Sequence, residues 1–344
     1  MIRFNSDYCE GAHPRILEAL VRTNLEQTPG YGEDVHCAAA AARIKQLCGR
    51  DDLSVHFLVG GTQTNTTVLA AILKPYQGAI ACDTGHINVH ETGAIEATGH
   101  RVLALPSETG KLNGDMVREY CRLHFADDSH EHMVMPGAVY ISNSTEIGGV
   151  YSAADLRDLR AACDEYSLAL FLDGARLGYA MASEGSDATL PVLCETCDVF
   201  YIGGTKQGAL FGEAVVFTNL ELARNFRYMI KQRGGMLAKG RLLGIQFEEL
   251  LRDDLYMELS RHAVSLAMKI KAAVLRKGLS FSSESASNQQ FVIFPDDMLK
   301  KLSEKYAFSV MNRVDDRHTV ARICTSWATR EEDVDALVRD IELA

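Results

Sequence analysis

No stretch of the 344-residue sequence approaches the ~20 consecutive apolar residues that a membrane span requires. The first residues also lack a basic region followed by an apolar run, so we expect no secretory signal. Basic residues are outnumbered, because 35 lysines and arginines stand against 46 aspartates and glutamates, and the net charge is −11. This balance argues against nucleic acid or a membrane surface as a partner.

A regular cysteine framework is absent as well. Nine cysteines are scattered along the chain, and an odd, widely spaced set is not typical of a disulfide-bonded domain. A reducing cytoplasm is therefore the expected compartment. Cys194 and Cys197 form a single C-x-x-C pair, which we interpret as core sulfur rather than as a redox or zinc site.

The length and apolar content indicate two domains. At ~150 residues per domain a chain of 344 residues contains about two, and a hydrophobic fraction of 47% supplies a sizeable core. We place the boundary near residue 250. Residues 1–250, with an N-terminal arm over 1–20, form a large domain, and residues 251–344 form a smaller α+β domain.

Short apolar runs that end in polar or glycine residues recur and alternate with helical patterns. They are LSVHFLVGG (53–61), GAIACD (78–83), GAVYISNS (137–144), LALFLDGAR (168–176), DVFYIGG (198–204) and EAVVFT (213–218). Such runs are typical of strands buried on both faces, so the sequence predicts an α/β fold with a mostly parallel sheet. A long helical stretch follows from about 219 to 250, broken near Gly234.

Ligands bind at the carboxyl ends of strands in open parallel sheets, so the residues after each run are the candidates. Lys206 follows DVFYI, where desolvation would make it a nucleophilic amine; a solvated loop lysine is the alternative. Asp173 ends LALFL, where a buried carboxylate needs a partner such as a protonated pyridine nitrogen or Arg176, unless it only caps the next helix.

Two further turns complete the set of candidates. Gly61 and Thr62 open a helix, where backbone N–H groups and the helix dipole favour an anion, and the turn matches neither nucleotide-binding glycine fingerprint. His86 begins another helix and is suited to stack on a planar ring or to move a proton, or only to satisfy a local hydrogen bond. His90 lies on the same face, but no third ligand accompanies the pair, so no metal is predicted.

An anion-binding turn, a strand-end aspartate and a strand-end lysine, in this order, suit pyridoxal phosphate. The phosphate would bind the helix N-terminus, the pyridine nitrogen would face Asp173, and the aldehyde would join Lys206.

The sequence resembles the L-threonine aldolases, which belong to the pyridoxal enzymes with the aspartate-aminotransferase-like (fold type I) architecture and to the aromatic amino acid beta-eliminating lyase/threonine aldolase family. The resemblance runs nearly end to end, and its TE-x-G-x-VY motif is similar to that of low-specificity bacterial members. The motifs that carry it are FNSDYCEGAHPRIL, GYGEDV, GGTQTN, HINVHETGA, STEIGGVY, LDGAR, GGTKQGALFGEA, IKQRGGMLAKGR and ARICTSWATREED.

The resemblance implies a role for each cofactor-facing residue. Lys206 would hold pyridoxal 5'-phosphate covalently, and Asp173 would pair with its pyridine nitrogen. Gly61 and Thr62 would donate to the phosphate. His86 would stack on the ring and is a candidate base.

It also implies how a substrate is held. Ser6, Arg176 and Arg322 would grip the substrate carboxylate, Arg176 lying next to the cofactor as well. Tyr31 and Lys231 would reach the site from a neighbouring subunit. A homodimer or homotetramer with active sites at the subunit interface is therefore expected.

One position departs from the family. Some members carry a second active-site histidine near the position of Glu146, and this chain offers a carboxylate there. Lys206, His86 and Glu146 are thus the catalytic candidates, and the proton acceptor is His86, Glu146 or a water.

The expected activity is retro-aldol cleavage of L-threonine, L-allo-threonine and related L-3-hydroxy amino acids to glycine and an aldehyde. Three alternatives remain open. The same scaffold supports β-elimination on an aromatic or sulfur amino acid, and the GGTQTN turn is compatible with a nicotinamide-dependent oxidoreductase. A non-catalytic binding protein is the third.

Overall fold

The computed structural model describes all 344 residues and contains thirteen strands and fourteen α-helices. In chain order the strands are β1 (Ile2–Arg3), β2 (Ser54–Leu58), β3 (Gln77–Cys82), β4 (Val102–Leu105), β5 (Met135–Ser142), β6 (Ala169–Asp173), β7 (Val199–Gly203), β8 (Glu213–Phe217), β9 (Ser280–Ser283), β10 (Gln289–Pro295), β11 (Tyr306–Ala307), β12 (Ser309–Arg313) and β13 (His318–Cys324). The helices are α1 (Pro14–Arg22), α2 (Val35–Cys48), α3 (Gly61–Ile72), α4 (His86–Val89), α5 (Gly114–Ala126), α6 (Ala153–Glu165), α7 (Leu177–Met181), α8 (Leu190–Thr196), α9 (Leu220–Ala223), α10 (Phe226–Gln232), α11 (Arg241–Leu250), α12 (Leu255–Arg276), α13 (Asp296–Leu302) and α14 (Glu331–Leu343).

A central sheet of seven strands, in the order β2-β8-β7-β6-β5-β3-β4, forms the core of the larger part. Five of them, from β7 to β4, pair in parallel, and the predicted mostly parallel α/β sheet is confirmed. Helices cover both faces, so the strands are apolar along their length: Leu170 and Leu172 enter one core and Phe171 enters the other.

Strand β8 runs against its neighbours, which the sequence did not predict. It pairs antiparallel with both β7 and β2. The connection from β7 spans only residues 204–212, and a parallel crossover needs a dozen or more residues. The chain therefore returns directly, and this tight return carries Lys206.

The helical stretch predicted over 219–250 forms three separate helices, α9, α10 and α11, with a further break between α9 and α10 that the sequence did not predict. The predicted break is confirmed, since Gly234 adopts a left-handed conformation with φ of 72° just after α10. Strand β4 at the sheet edge was not predicted.

A second, antiparallel sheet has the order β12-β13-β10-β9 and packs on α12 and α14. Strand β1 pairs in parallel with β11, and Phe4 lies in the apolar core of this second unit. The N-terminal arm is thus attached to the C-terminal residues. The division of the chain at residue 250 stays a prediction.

The carboxyl ends of β5, β6 and β7 lie side by side in the central sheet, at Ser142, Asp173 and Gly203. This arrangement brings the polar residues that follow each strand to one edge. None of the helices combines the length and the apolar character of a membrane span.

Candidate active site

A cavity of about 280 Å³ opens at this edge of the central sheet. It is lined by most of the residues singled out from the sequence: Gly61, Thr62, His86, Glu146, Asp173, Arg176 and Lys206. An adjoining cavity of about 640 Å³ shares His86, Glu146, Arg176 and Lys206 and adds Arg322. Segments that are far apart in the sequence therefore meet at one site.

The anion-binding turn lies at the start of α3. No side chain caps this twelve-residue helix, and Gly60, Gly61 and Thr62 line the cavity. The first N–H groups of a helix have no partner within it, and the helix dipole makes them favourable for a negative charge. This end of the cavity is suited to a phosphate group.

Asp173 is buried at the end of β6 and is held by three donors. The hydroxyl of Tyr140 lies 2.6 Å and Nδ2 of Asn65 3.0 Å from its Oδ2, while the amide of Ala175 donates to Oδ1 at 3.0 Å. Burial alone would raise the pKa of Asp173, but the charge of His86 and the Tyr140 hydroxyl outweigh it and hold the pKa below its usual value. The carboxylate is thus ready to face a cationic ring nitrogen.

Lys206 lies in the turn between β7 and β8. Burial and the nearby Arg176 guanidinium lower the pKa of its amine. A lowered pKa leaves more of the amine unprotonated, which is the form that attacks a carbonyl carbon. The Tyr179 hydroxyl donates to the backbone carbonyl of Lys206 and helps to fix the turn.

His86 begins α4, and its imidazole is anchored on one side. Nδ1 lies 2.7 Å from Oε1 of Glu91, a fully buried carboxylate. Burial would lower the pKa of His86, but the hydrogen bond with Glu91 and the charge of Asp173 raise it overall.

Glu146 follows β5 and contacts His86 through the backbone. Its Oε1 accepts from the His86 amide at 3.0 Å and from the Ser142 hydroxyl at 2.7 Å. Burial and the charge of Asp173 raise the pKa of Glu146. At neutral pH a larger fraction of this carboxyl is therefore protonated than for an ordinary glutamate.

Arg176 and Arg322 differ in whether a carboxylate of the chain already pairs with them. Arg176 forms a bidentate ion pair with the buried Asp7, in which Nε and Nη2 donate at 2.7 and 3.0 Å. Arg322 donates only from Nη2 to the Asn5 carbonyl at 3.2 Å, and its buried Nε has no partner. Arg322 is thus the cation with the greater unused capacity to bind a carboxylate.

Three residues singled out from the sequence, Ser6, Tyr31 and Lys231, line neither of the two active-site cavities of their own chain. Ser6 contacts Cys9, with Oγ and Sγ 3.1 Å apart. Lys231 places Nζ 4.7 Å from the centre of the Tyr31 ring, and the pair borders a separate surface depression. The contribution of Tyr31 and Lys231 to a neighbouring subunit's site stays a prediction.

Cys194 and Cys197 are buried free thiols. No group of three or more histidine, cysteine or acidic side chains is arranged to hold a metal ion.

Sequence reasoning missed four buried polar residues around the site: Asp7, Asn65, Glu91 and Glu213. Only Glu213 carried a local signal, since a carboxylate that opens the apolar strand EAVVF is costly to bury unless it has a function or a partner. The other three acquire partners only through tertiary contacts.

Glu213 lines the same cavity and holds the turn before Lys206. Its oxygens accept from the Thr205 hydroxyl at 2.9 Å and from the Gly204 amide at 3.2 Å. Burial raises the pKa of Glu213 to about 8. The side chain therefore keeps its proton to a higher pH than an ordinary glutamate.

This raised pKa predicts a pH-dependent stability difference. The folded protein binds a proton on Glu213 that the unfolded chain releases, so its contribution to stability is full below pH ~4.5 and is lost as the pH rises to about 8. Glu213→Gln mimics the neutral acid, so the variant should gain on the order of a few kcal/mol relative to the parent between pH 5 and 9. Unfolding of the cofactor-free proteins measured across this range tests it, with the exposed Glu221→Gln as control. A stability difference that does not change with pH would refute the assignment.

Comparison with known proteins adds an independent line of evidence. Residues 4–305 match the family described as beta-eliminating lyase. The low specificity L-threonine aldolase of Pseudomonas aeruginosa is 31% identical over 348 residues, covering 99% of this chain and 97% of that protein. The structure of threonine aldolase from Leishmania major superimposes with a TM-score of 0.97 at 44% identity, covering 100% of this chain and 99% of that one. A Thermus thermophilus aspartate aminotransferase mutant superimposes with a TM-score of 0.73 at 14% identity, covering 100% of this chain and 91% of that one, which shows the fold alone.

Proposed function

Because this chain belongs to the beta-eliminating lyase family, we propose that it is a lyase that uses pyridoxal 5'-phosphate to cleave L-threonine, L-allo-threonine and related L-3-hydroxy amino acids to glycine and an aldehyde. The resemblance to L-threonine aldolases carried by the sequence motifs is confirmed by relatives of that name. β-Elimination remains the alternative, and no feature of the site favours it.

The observation that carries the proposal is the donor set around one cavity. Lys206, Asp173 and the uncapped start of α3 at Gly61 all border it. These groups match the aldehyde, the pyridine nitrogen and the phosphate of the cofactor, so the residues present fit it. When bound, pyridoxal phosphate supplies an electron sink for the electron pair released at the substrate Cα.

The residues of the chain then have distinct tasks. Asp173 holds a proton on the ring nitrogen, because its depressed pKa keeps it anionic. Arg322, assisted by Arg176 and Ser6, would bind the substrate carboxylate and so select which bond to Cα is cleaved. In the proposed reaction that bond is Cα–Cβ.

The proton of the β-hydroxyl needs an acceptor near Cβ. His86 and Glu146 both border the cavity, and each has an atom free for the task. His86 has Nε2 without a partner in the chain, and Glu146 has Oε2, since its Oε1 already accepts two hydrogen bonds. Either group can take the proton, directly or through a water.

We further propose a homodimer or homotetramer in the cytoplasm, with Tyr31 and Lys231 completing the neighbouring site. The exposed apolar side chains of Leu17, Val21 and Leu25 support a contact between copies, since their exposed fractions are 44%, 77% and 90%. Sedimentation velocity tests the assembly, and a monomer at micromolar concentration would contradict it.

Product analysis tests the proposed reaction on a single substrate. With L-threonine, aldol cleavage releases glycine and acetaldehyde, whereas β-elimination releases ammonia and a four-carbon keto acid. We expect glycine and acetaldehyde in equal amounts. Pyruvate and ammonia released from an aromatic or sulfur amino acid, without cleavage of L-threonine, would establish the alternative instead.

The Asp7–Arg176 pair provides a second prediction. Asp7→Asn removes the charge that fixes the guanidinium, so we expect a KM for L-threonine raised about tenfold with a smaller change in kcat. Removing one partner of a buried pair should also lower the free energy of unfolding by about 3 kcal/mol. Steady-state kinetics and denaturant unfolding measure both effects.

The Arg157–Glu195 pair is a matched control. It is also bidentate, with contacts of 2.9 and 3.0 Å, but its side chains are exposed. Glu195→Gln should leave KM and stability unchanged, because exposed ion pairs contribute little. An Asp7→Asn protein with the parent's KM would show that the pairing with Asp7 does not position Arg176 for substrate binding.

A further inference from the structure

We propose that Glu91 is a positioning residue for His86, which directs Nε2 of the imidazole into the active-site cavity and keeps the ring proton on Nδ1. The catalytic role of this orientation rests on the proposed function. The orientation itself follows from contacts between residues of this chain.

The hydrogen-bond pattern determines where the proton lies. Oε1 of Glu91 lies 2.7 Å from Nδ1 of His86 and 2.7 Å from Nδ2 of Asn65. The amide of Asn65 is oriented by a second acceptor, because the same Nδ2 donates to Asp173 at 3.0 Å. An amide N–H can only donate, so Oε1 accepts from Asn65; as a carboxylate oxygen it accepts from His86 as well, which places a proton on Nδ1.

Nε2 is the ring nitrogen that remains available. No group of the chain bonds to it, and His86 borders both active-site cavities. With the proton held on Nδ1, neutral His86 presents a lone pair at Nε2. A carboxylate that orients a histidine in this way is a recurrent device in catalytic and metal sites.

The backbone next to this carboxylate is strained. Thr92, which directly follows Glu91, has φ of 54°, and Gly93 has φ of 71°. A β-branched residue in the left-handed region is strained by about 1–3 kcal/mol. The turn returns the Glu91 side chain toward a residue five positions earlier, where it becomes fully buried.

Burial makes the pairing with His86 necessary. Oε2 of Glu91 is buried and has no hydrogen-bond partner, so Oε1 accepts both hydrogen bonds that the carboxylate receives. A buried carboxylate without compensation is strongly unfavourable. The imidazole and the Asn65 amide are its only donors, and Glu91 in turn stabilises positive charge on His86.

Other charged groups also act on the ring, and each comes from a different element. Negative charge comes from Asp173 at the end of β6 and from Glu146 after β5, and positive charge from Lys206 after β7. His90 directly follows the helix that His86 begins, and its ring centre lies 5.6 Å from that of His86. Glu91 is the only one of these groups that the structure shows bonded to the imidazole itself.

The first test is a measurement on the parent protein. In the cofactor-free protein labelled with ¹⁵N-histidine, and with His86 assigned by comparison with His86→Gln, NMR reports which ring nitrogen carries the proton at high pH. We expect the Nδ1–H form. The Nε2–H form would overturn the proposal, whatever the activity of the enzyme.

The second test removes only the charge. In Glu91→Gln the His86 pKa measured by NMR should fall by about one unit, and the acid limb of the kcat/KM profile should move to lower pH by the same amount. The plateau kcat should drop about 10-fold or more with KM nearly unchanged, as for other residues that orient a functional histidine.

Glu91→Asp keeps the charge and should recover part of the His86 pKa, which a purely structural role would not predict. Glu96→Gln, an exposed change in the same segment, is the matched control. An unchanged His86 pKa together with an unchanged acid limb in Glu91→Gln would refute the role. The NMR result stands independently of turnover, so failure of the proposed reaction and failure of this inference are distinguishable.

Discussion

Replacement of Lys206 by alanine should lower kcat for L-threonine cleavage by about 10⁴-fold or more, the largest effect expected from any single change. Without the amine the cofactor has no covalent attachment, and it should be lost on gel filtration together with its visible absorbance. Burial and Arg176 lower the pKa of Lys206, which is the physical reason to expect a nucleophilic amine there.

Two measurements check this prediction beyond activity. After borohydride treatment of the loaded protein, mass spectrometry of the Lys206 peptide should show the added mass of the reduced cofactor, and Lys206→Ala should show none. Lys301, which is exposed on α13, provides the control substitution Lys301→Ala. Modification of a different lysine in the parent protein would contradict the assignment.

Asp173→Asn should have the second largest effect, with kcat reduced about 10²–10³-fold while some cofactor remains bound. The replacement keeps the size of the side chain, but it removes the charge that holds a proton on the ring nitrogen. Tyr140 and Asn65 can still donate to the amide oxygen and keep the side chain in place, while the amide nitrogen faces the Ala175 N–H and that hydrogen bond is lost. The loss should therefore appear in kcat rather than in KM.

Tyr140→Phe provides a graded comparison for the same prediction. It removes one donor at 2.6 Å from Asp173 and leaves the charge, so its kcat should fall by less than that of Asp173→Asn. Melting temperatures of the cofactor-free proteins separate catalytic loss from unfolding. Full activity in Asp173→Asn would show that the ring nitrogen does not depend on this carboxylate.

The strand-end residues of the site were predictable from the sequence because their signal is local. An apolar run such as LALFL must be a buried strand, and a charged residue directly after it must lie at the sheet edge. Asp173 at the end of β6, Lys206 three residues after β7 and Gly61 three residues after β2 all border the cavity at this edge. The family resemblance then supplied expected roles for these residues and for His86, Arg176 and Arg322.

The residues that hold the site residues in place could not be predicted in this way. Asp7 meets Arg176 across 169 positions of sequence, and Asn65 meets Asp173 across 108. Side chains so distant carry no periodic pattern that links them, since their pairing results from the packing of whole elements.

The amino-acid sequence by itself determined which segments are buried, the mostly parallel sheet, and the order in which an anion turn, a carboxylate and an amine reach one edge, because hydrophobic periodicity and strand ends are local properties. The tertiary structure decided the reversed direction of β8, the neutralisation of Arg176 by Asp7, and the anchoring of His86 by Glu91. These features depend on the length of a connection and on contacts across the fold. Burial makes each contact necessary, since a charge removed from water must find a partner, and only the assembled fold determines which partner it finds.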